Sequence, residues 1–221
     1  IDMPLDLEEQ EQLDQLKAFW QKYRNLITGV VTAALFAYAG YNGYQWWRTS
    51  QAAAASQLYE TMVTAINKGD KDQTLLAADD LQKQFSSTPY AAMSSLVAAK
   101  IAADAGDSAK AIDYLRWATK NASDQGYLAL AKLRLTAQLI ELGTEKDFAE
   151  ADAILKEKPV PGFEALWSER RGDWYLAQKN TAEARKSYEA AWKQLNDSKE
   201  FPEEARRLLK VKLDAVGGVA Q

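Results

Sequence analysis

Asp79-Asp80 supplies the residue type for paired acid–base work, and Arg170-Arg171 the type for an anion clamp. Neither spacing delivers that chemistry. Neighbours on a helix point about 100° apart, so the two carboxylates diverge and so do the two guanidinium groups. A solvated helix face accounts for both pairs. No glycine-rich phosphate loop is present. The chain contains 0 His and 0 Cys, which removes thiol nucleophiles, disulfides, zinc fingers, iron–sulfur ligation, haem–histidine ligation and every His-dependent triad. The remaining residue types assemble no nucleophile–base–oxyanion set. The sequence therefore reads as a protein that is not an enzyme, with no cofactor, no metal and no small-molecule substrate. Trp117, Trp167, Trp174 and Trp192 are of the type that anchors protein interfaces. Each lies on or beside an apolar helical stripe, so core positions are expected, with one exposed at most.

A formal charge of −4 with a pI near 5.1 leaves no clustered basic face to neutralise phosphates, so nucleic acid is not an expected partner. With 221 residues and 47% apolar composition, the chain is long enough to bury a core without disulfides. Missing cysteine suits oxidising and reducing compartments alike.

Position in the cell is read from the N-terminal segment. Leu26 to Trp47 carries no Asp, Glu, Lys or Arg, and as a helix it extends about 33 Å, matching a hydrocarbon layer of ~30 Å. Trp20 and Tyr23 stand at one end; Tyr41, Tyr44, Trp46 and Trp47 stand at the other. Such rings prefer the headgroup level. A cleaved signal peptide is the competing reading, because Ala52–Ala55 offers A-x-A sites. The preceding region is too long and acidic for that, and Trp46-Trp47-Arg48 separates the apolar run from the site. The segment thus reads as an uncleaved anchor in a lipid bilayer. Lys17, Lys22 and Arg24 precede the span closely, whereas only Arg48 comes after it before Lys68. The N-terminus is therefore expected in the cytoplasm and the rest outside it, which in a bacterium is the periplasm. Gly29, Ala33, Ala37 and Gly40 fall on one face of the span, where small residues allow another helix to approach.

After the anchor the pattern is all-α. Apolar residues recur at three- and four-residue steps, as in Ala111, Leu115 and Ala118 or Ala184, Tyr188, Ala191 and Leu195. Helices are expected at 52–68, 72–86, 89–105, 108–121, 126–142, 147–157, 163–178, 181–196 and 202–215. Thr88-Pro89 reads as an N-cap followed by proline at the first helical position. Asn180 with Glu183 resembles a capping box, Pro202-Glu203-Glu204 opens the last helix, and Pro159-Val160-Pro161-Gly162 breaks the domain internally. The organisation expected is a short N-terminus at 1–25, an anchor helix at 26–47, a helical-repeat domain at 48–216 and a frayed tail at 217–221.

The repeat itself is legible. Gly172, Tyr175, Ala184, Tyr188 and Ala191 fall at the spacing of the tetratricopeptide pattern, and Gly106-Asp107 with Ala111, Leu115 and Ala118 forms an earlier unit. Between them Ala151 is aligned with Ala111 and Ala184, in steps of 40 and 33 residues, with extra residues in the Gly143–Phe148 turn. Small residues allow paired helices to cross closely, and each pair buries its open face by stacking. This defines an α-solenoid of tetratricopeptide-like helix pairs. Its groove is lined by the first helix of each pair, with candidate partner-binding residues Met93, Leu96, Lys100, Glu169, Asp173 and Leu176.

The short acidic N-terminus, the single anchor, the aromatic exit Gly43-Tyr-Gln-Trp-Trp47 and the tetratricopeptide-like domain together resemble the YfgM family. The Ala52-Ala-Ala-Ala-Ser56-Gln-Leu-Tyr59 entry and the Pro89–Ala99 helix are similar to it as well. The resemblance spans essentially the whole chain and rests on the ordered combination of these features. It implies an ancillary subunit of the SecYEG translocon in the bacterial inner membrane, associated with a PpiD-like membrane chaperone, that helps pass unfolded, translocating proteins to periplasmic folding factors. It carries over no catalytic motif. A structural adaptor for another envelope assembly, in division or outer-membrane biogenesis, uses the same fold and separates only by which proteins co-purify.

Overall fold

Nothing after the apolar run stops a helix. Arg48-Thr-Ser-Gln51 holds neither proline nor glycine, and Ala52–Ala55 is the strongest helix-forming residue type. The computed structural model, which describes residues 7–197 and 202–217, accordingly shows one helix, α1, from Leu7 to Asn67. The anchor and the helix expected at 52–68 are thus a single element, and residues 7–25 are helical too. The chain divides into two compact units, 1–51 and 52–221.

In the first unit α1 is apolar and bare. Leu26, Val30, Leu35, Phe36 and Tyr38 are all exposed, and the most apolar window buries 0% of its residues. A helix in a soluble core covers such residues; this one covers none. It is long and apolar enough to cross a membrane. Rings gather at both ends, with Phe19 against Tyr23 at 4.7 Å and Tyr44 against Trp47 at 6.1 Å.

The second unit is built from helix pairs, and every element among its described residues is helical. The last stretch of α1 pairs in sequence with α2 (Lys71–Gln84), α3 (Pro89–Asp104) with α4 (Ser108–Asn121), α5 (Gln125–Leu142) with α6 (Glu145–Leu155), and α7 (Glu164–Ala177) with α8 (Thr181–Asp197). α9 (Glu203–Ala215) comes last and alone. The turn inside each pair has one design. Gly69, Gly106, Gly143 and Lys179 adopt positive φ, at steps of 37, 37 and 36 residues, and the next residue caps the second helix. Asp70, Asp107, Thr144 and Asn180 accept side-chain bonds from backbone N–H groups three residues on, at 3.0, 3.0, 3.2 and 3.3 Å. Four residues past each cap, Thr74, Ala111, Phe148 and Ala184 donate their N–H to the cap carbonyl. This corrects the repeat register: the mate of Ala111 and Ala184 is Phe148, not Ala151, and the Gly143 turn has no extra residues. Matching small side chains misplaces the unit, because the cap sets the register.

Lys179 alone does with a side chain what glycine does in the other three turns. Its φ of 63° costs an L-residue about 1–2 kcal/mol. Lys179→Gly recovers that, less the entropy glycine adds to the unfolded chain. The variant should gain roughly 0.5–1 kcal/mol, read as a higher urea midpoint with unchanged slope.

Two other caps differ from expectation. Thr88 precedes α3 in extended conformation, but its hydroxyl donates back to Phe85 O at 2.8 Å and caps nothing. Asn180 caps α8, while Glu183 turns away to Lys186 at 2.6 Å, leaving the box half made. Gly217 ends α9 at positive φ, and residues 218–221 lie outside the described residues.

One core cluster runs from α1 to α6 through Met62, Leu81, Leu115, Leu135 and Leu139; a second joins α7, α8 and α9 through Tyr188, Leu195, Leu209 and Leu213. Leu133, Leu155 and Trp167 form a third, smaller cluster. The Pro159–Gly162 breaker ends α6 early and frees its last carbonyls. Trp167 Nε1 donates to Leu155 O at 3.3 Å, Arg171 donates to the same oxygen, and Trp174 Nε1 reaches Phe148 O at 3.0 Å. All four candidate tryptophans of this unit are buried or half-buried against the core clusters. Arg170 and Arg171 diverge as expected but do not share a solvated face, the first pairing with Asp173 and the second donating to Leu155 O.

Two tyrosines tie neighbouring helices. Tyr114 of α4 donates to Asp79 of α2 at 2.6 Å, and Tyr188 of α8 donates to Asp173 of α7 at 2.8 Å. Burial first, and the facing carboxylate second, pushes each phenol far above its ordinary value near 10. A phenol harder to ionise when folded contributes stability that is complete below the unfolded value and is lost as pH rises past it. The thermal midpoint should therefore fall steeply above about pH 10, each tyrosine adding up to ~1.4 kcal/mol per pH unit. Tyr188→Phe should be less stable at pH 7 and fall less steeply above pH 10; an unchanged slope would refute the assignment.

Candidate protein-binding groove

The repeat register defines an inner stripe on the first helices, at ten, six and three residues before each positive-φ turn. It reads Tyr59, Val63 and Ile66 on α1; Leu96, Lys100 and Ala103 on α3; Leu133, Ala137 and Ile140 on α5; Glu169, Asp173 and Leu176 on α7. A solenoid presents such a stripe as one continuous surface.

The six sequence-derived groove residues separate into three environments. Lys100 is exposed and Met93 half-buried on α3. Leu96, at 5% exposure, belongs to the core and is not available to a partner. Its position in the stripe is turned inward throughout: Leu133 is buried too, and Tyr59 half-buried. Glu169 and Asp173 are covered from α9. Lys212 Nζ lies 2.6 Å from Glu169 Oε1 and 2.8 and 3.0 Å from the Asp173 oxygens, and 6.0 Å from the Tyr188 ring centroid. Asp173 further holds Arg170 at 2.8 Å. This end of the stripe is thus closed by the chain itself. Leu176 remains exposed beyond it.

The open part lies between α3 and α5. A cleft of about 280 Å³ is floored by Ala99 and Leu115 and walled by Lys100, Ala103 and Asp104 on one side and Arg134, Ala137 and Gln138 on the other. Arg134 Nη1 donates to Leu96 O at 3.2 Å, which joins the two walls. Arg134, Ala137 and Gln138 escape a reading of the sequence because the misplaced register hides their alignment with the α3 stripe. On the other side of the pairs, a larger cleft between α4 and α6 holds Arg116 and Glu150 in a bidentate pair at 2.9 and 2.6 Å, and Lys132 bonds to Glu157. Arg116 holds the Glu150 carboxyl below the usual carboxylate range. Those charges answer each other across the helices and serve the stack.

In the membrane-spanning unit, Gly29, Ala33, Ala37 and Gly40 are all exposed, and a Cβ built at Gly29, Gly40 or Gly43 meets nothing within 4 Å.

An exposed apolar helix followed by stacked helix pairs with an open inner face defines a membrane-anchor-bearing tetratricopeptide-like solenoid. The family profile described as a tetratricopeptide repeat-like domain matches residues 17–218. A relative from Neisseria gonorrhoeae named ancillary SecYEG translocon subunit is 31% identical over 97% of this chain and 100% of its own. Proteins of the same name from Haemophilus influenzae and Escherichia coli are 27% and 28% identical, covering 86% and 84% of this chain and 91% and 87% of theirs. No solved structure matches significantly. The chain belongs to the YfgM family, whose curated members carry that name.

Proposed function

We propose that this protein is a single-pass inner-membrane accessory subunit of the SecYEG translocon that binds proteins and helps pass translocated chains to periplasmic chaperones. The observation that carries the reading is colinearity: the Neisseria relative of that name is matched along its whole length, anchor region included. The groove supports binding, since it offers a ligand small apolar surface with a few charged groups. A PpiD-like membrane chaperone and unfolded, translocating chains are the partners this reading adds. The Gly29–Ala33–Ala37–Gly40 stripe is the face proposed to pack against a helix of the membrane partner.

The test is affinity purification of the tagged full-length protein in mild detergent, with mass spectrometry of the co-purifying proteins. Translocon subunits together with a membrane-anchored chaperone are expected. A different envelope complex, with no translocon above an untagged control, would overturn the role and leave the scaffold. The proposed orientation has its own test, which the cysteine-free sequence makes clean. Lys110→Cys should react with an impermeant maleimide in cells with a permeabilised outer membrane, and Gln12→Cys only after lysis. The reverse pattern would place the solenoid in the cytoplasm.

A further inference from the structure

The chain contains, in two places, the same basic position on a first helix, and among the described residues only one of them has a carboxylate partner. Arg170 on α7 and Arg134 on α5 both stand nine residues before a positive-φ turn. Three residues after Arg170 comes Asp173, which pairs with it at 2.8 Å and also takes Lys212 from α9. Three residues after Arg134 comes Ala137, and the neighbouring first helix contributes a second cation, Lys100. The α3–α5 cleft therefore also brings an arginine and a lysine together, here with the lysine on the preceding helix, but without the part-buried carboxylates of the α7–α9 contact. Its one acid, Asp104, pairs with Lys100 at 2.9 Å, but their side chains are 60% and 69% exposed. Such an exposed i,i+4 pair is weak and exchanges readily with another partner. Arg134 commits one donor to Leu96 O, and a guanidinium has five.

From this we infer that the α3–α5 cleft is a peptide site that takes a carboxylate side chain, Asp or Glu, flanked by small aliphatic residues, from an extended segment of a bound protein. The carboxylate would stand between Lys100 and Arg134, where the fork geometry of arginine favours a planar two-oxygen acceptor. Ala99, Ala103, Leu115 and Ala137 supply the apolar surface for the neighbouring side chain. An extended segment is favoured over a free small acid because the stripe continues past the cleft as apolar surface, through Val63 and Ile66 of α1 and Ile140 of α5. The inference rests on the protein-binding reading above and names the chemistry of the segment that groove grips.

The experiment uses the full-length protein in detergent and three fluorescein-labelled unstructured peptides, alternating Leu-Ala with Asp, Asn or Lys, read by fluorescence anisotropy. The Asp peptide should bind at least tenfold tighter than the Asn peptide, and the Lys peptide weakest. Lys100→Glu, at an exposed position that leaves folding intact by circular dichroism, should abolish the preference or reverse it. Arg134→Lys should keep the order and Arg134→Gln weaken it about tenfold. Equal binding of the three peptides, or an Asp preference untouched by Lys100→Glu, would overturn the site. Purifying the Lys100→Glu protein in parallel separates the two ideas: translocon subunits that still co-purify with it leave the accessory role standing whatever the peptides do.

Discussion

Replacing Gly172 by alanine should destabilise the α7–α9 end of the solenoid by about 3 kcal/mol, a large effect for one methyl group. A Cβ at Gly172 would stand 2.3, 2.5 and 2.9 Å from Cε1, Cδ1 and Cζ of Tyr188. The ring has nowhere to retreat. It is fully buried, packed among Ala184, Ala191 and Leu209, and its hydroxyl is fixed on Asp173. Accommodating the methyl therefore means parting α7 from α8 or giving up the Tyr188–Asp173 bond, itself worth roughly 1.5–3 kcal/mol because the acceptor is charged. Alanine's better helix propensity returns about 1 kcal/mol, which does not offset the loss. For a unit of this size the thermal midpoint should drop by roughly 6–12 °C. Because stacked repeats couple mainly to their neighbours, hydrogen exchange should accelerate in α7, α8 and α9 and leave α2–α4 nearly unchanged. Adding Tyr188→Leu, which removes the clashing ring, should recover part of the loss. Loss below 1 kcal/mol in Gly172→Ala would mean that the two helices do not cross so closely.

That crossing is legible in the sequence, because a glycine seven residues before a turn leaves room for an aromatic eight residues after its cap. The helix ends are legible for a similar reason: Gly106-Asp107 and Pro159–Gly162 are chemical instructions, and α4 lies where the spacing predicts it, at Ser108–Asn121. Composition divides the chain where the backbone does not. The change from apolar anchor to alanine-rich entry looks like a boundary, yet no residue between Trp47 and Ala52 interrupts a hydrogen-bonded helix, and α1 continues. The register of the α5–α6 pair slips because Ala151 resembles Ala111 in size, whereas Gly143-Thr144 is the true repeat of Gly106-Asp107. With that slip go Arg134 and Ala137, the residues that give the open cleft its character. Closure of the other end is out of reach of any local pattern. Lys212 lies 43 residues from Glu169 and 39 from Asp173, and only the docking of α9 through Leu209 and Leu213 brings it over them. Two acids on a helix face look like a binding surface until a distant lysine is found on them.

Removing residues 1–49 should abolish membrane association and leave a soluble, folded solenoid. The apolar surface that requires a bilayer lies wholly within the first compact unit, where Leu26, Val30, Phe36 and Trp46 are exposed. The cut falls inside α1, so the survival of its remaining turns decides the outcome. They are held by packing and not by the preceding helix: Ala55 and Met62 are fully buried and Ala65 nearly so, while Leu58 and Tyr59 pack on the first core cluster, Tyr59 against Tyr90 at 5.6 Å. Ser50, left as the first residue, is of a type that caps a new helix start. Most helical stability in such segments comes from the buried face, so the helical signal per residue of the solenoid should stay near that expected from α2–α9 plus residues 52–67. The fragment should melt cooperatively, remain in the supernatant after ultracentrifugation, and fail to sediment with membranes that retain the full-length chain. A fragment that aggregated would show that part of the apolar helix is needed to cover the solenoid. One that still sedimented with membranes would move the anchor out of α1 and into the helix pairs, and the two-unit division would fall with it.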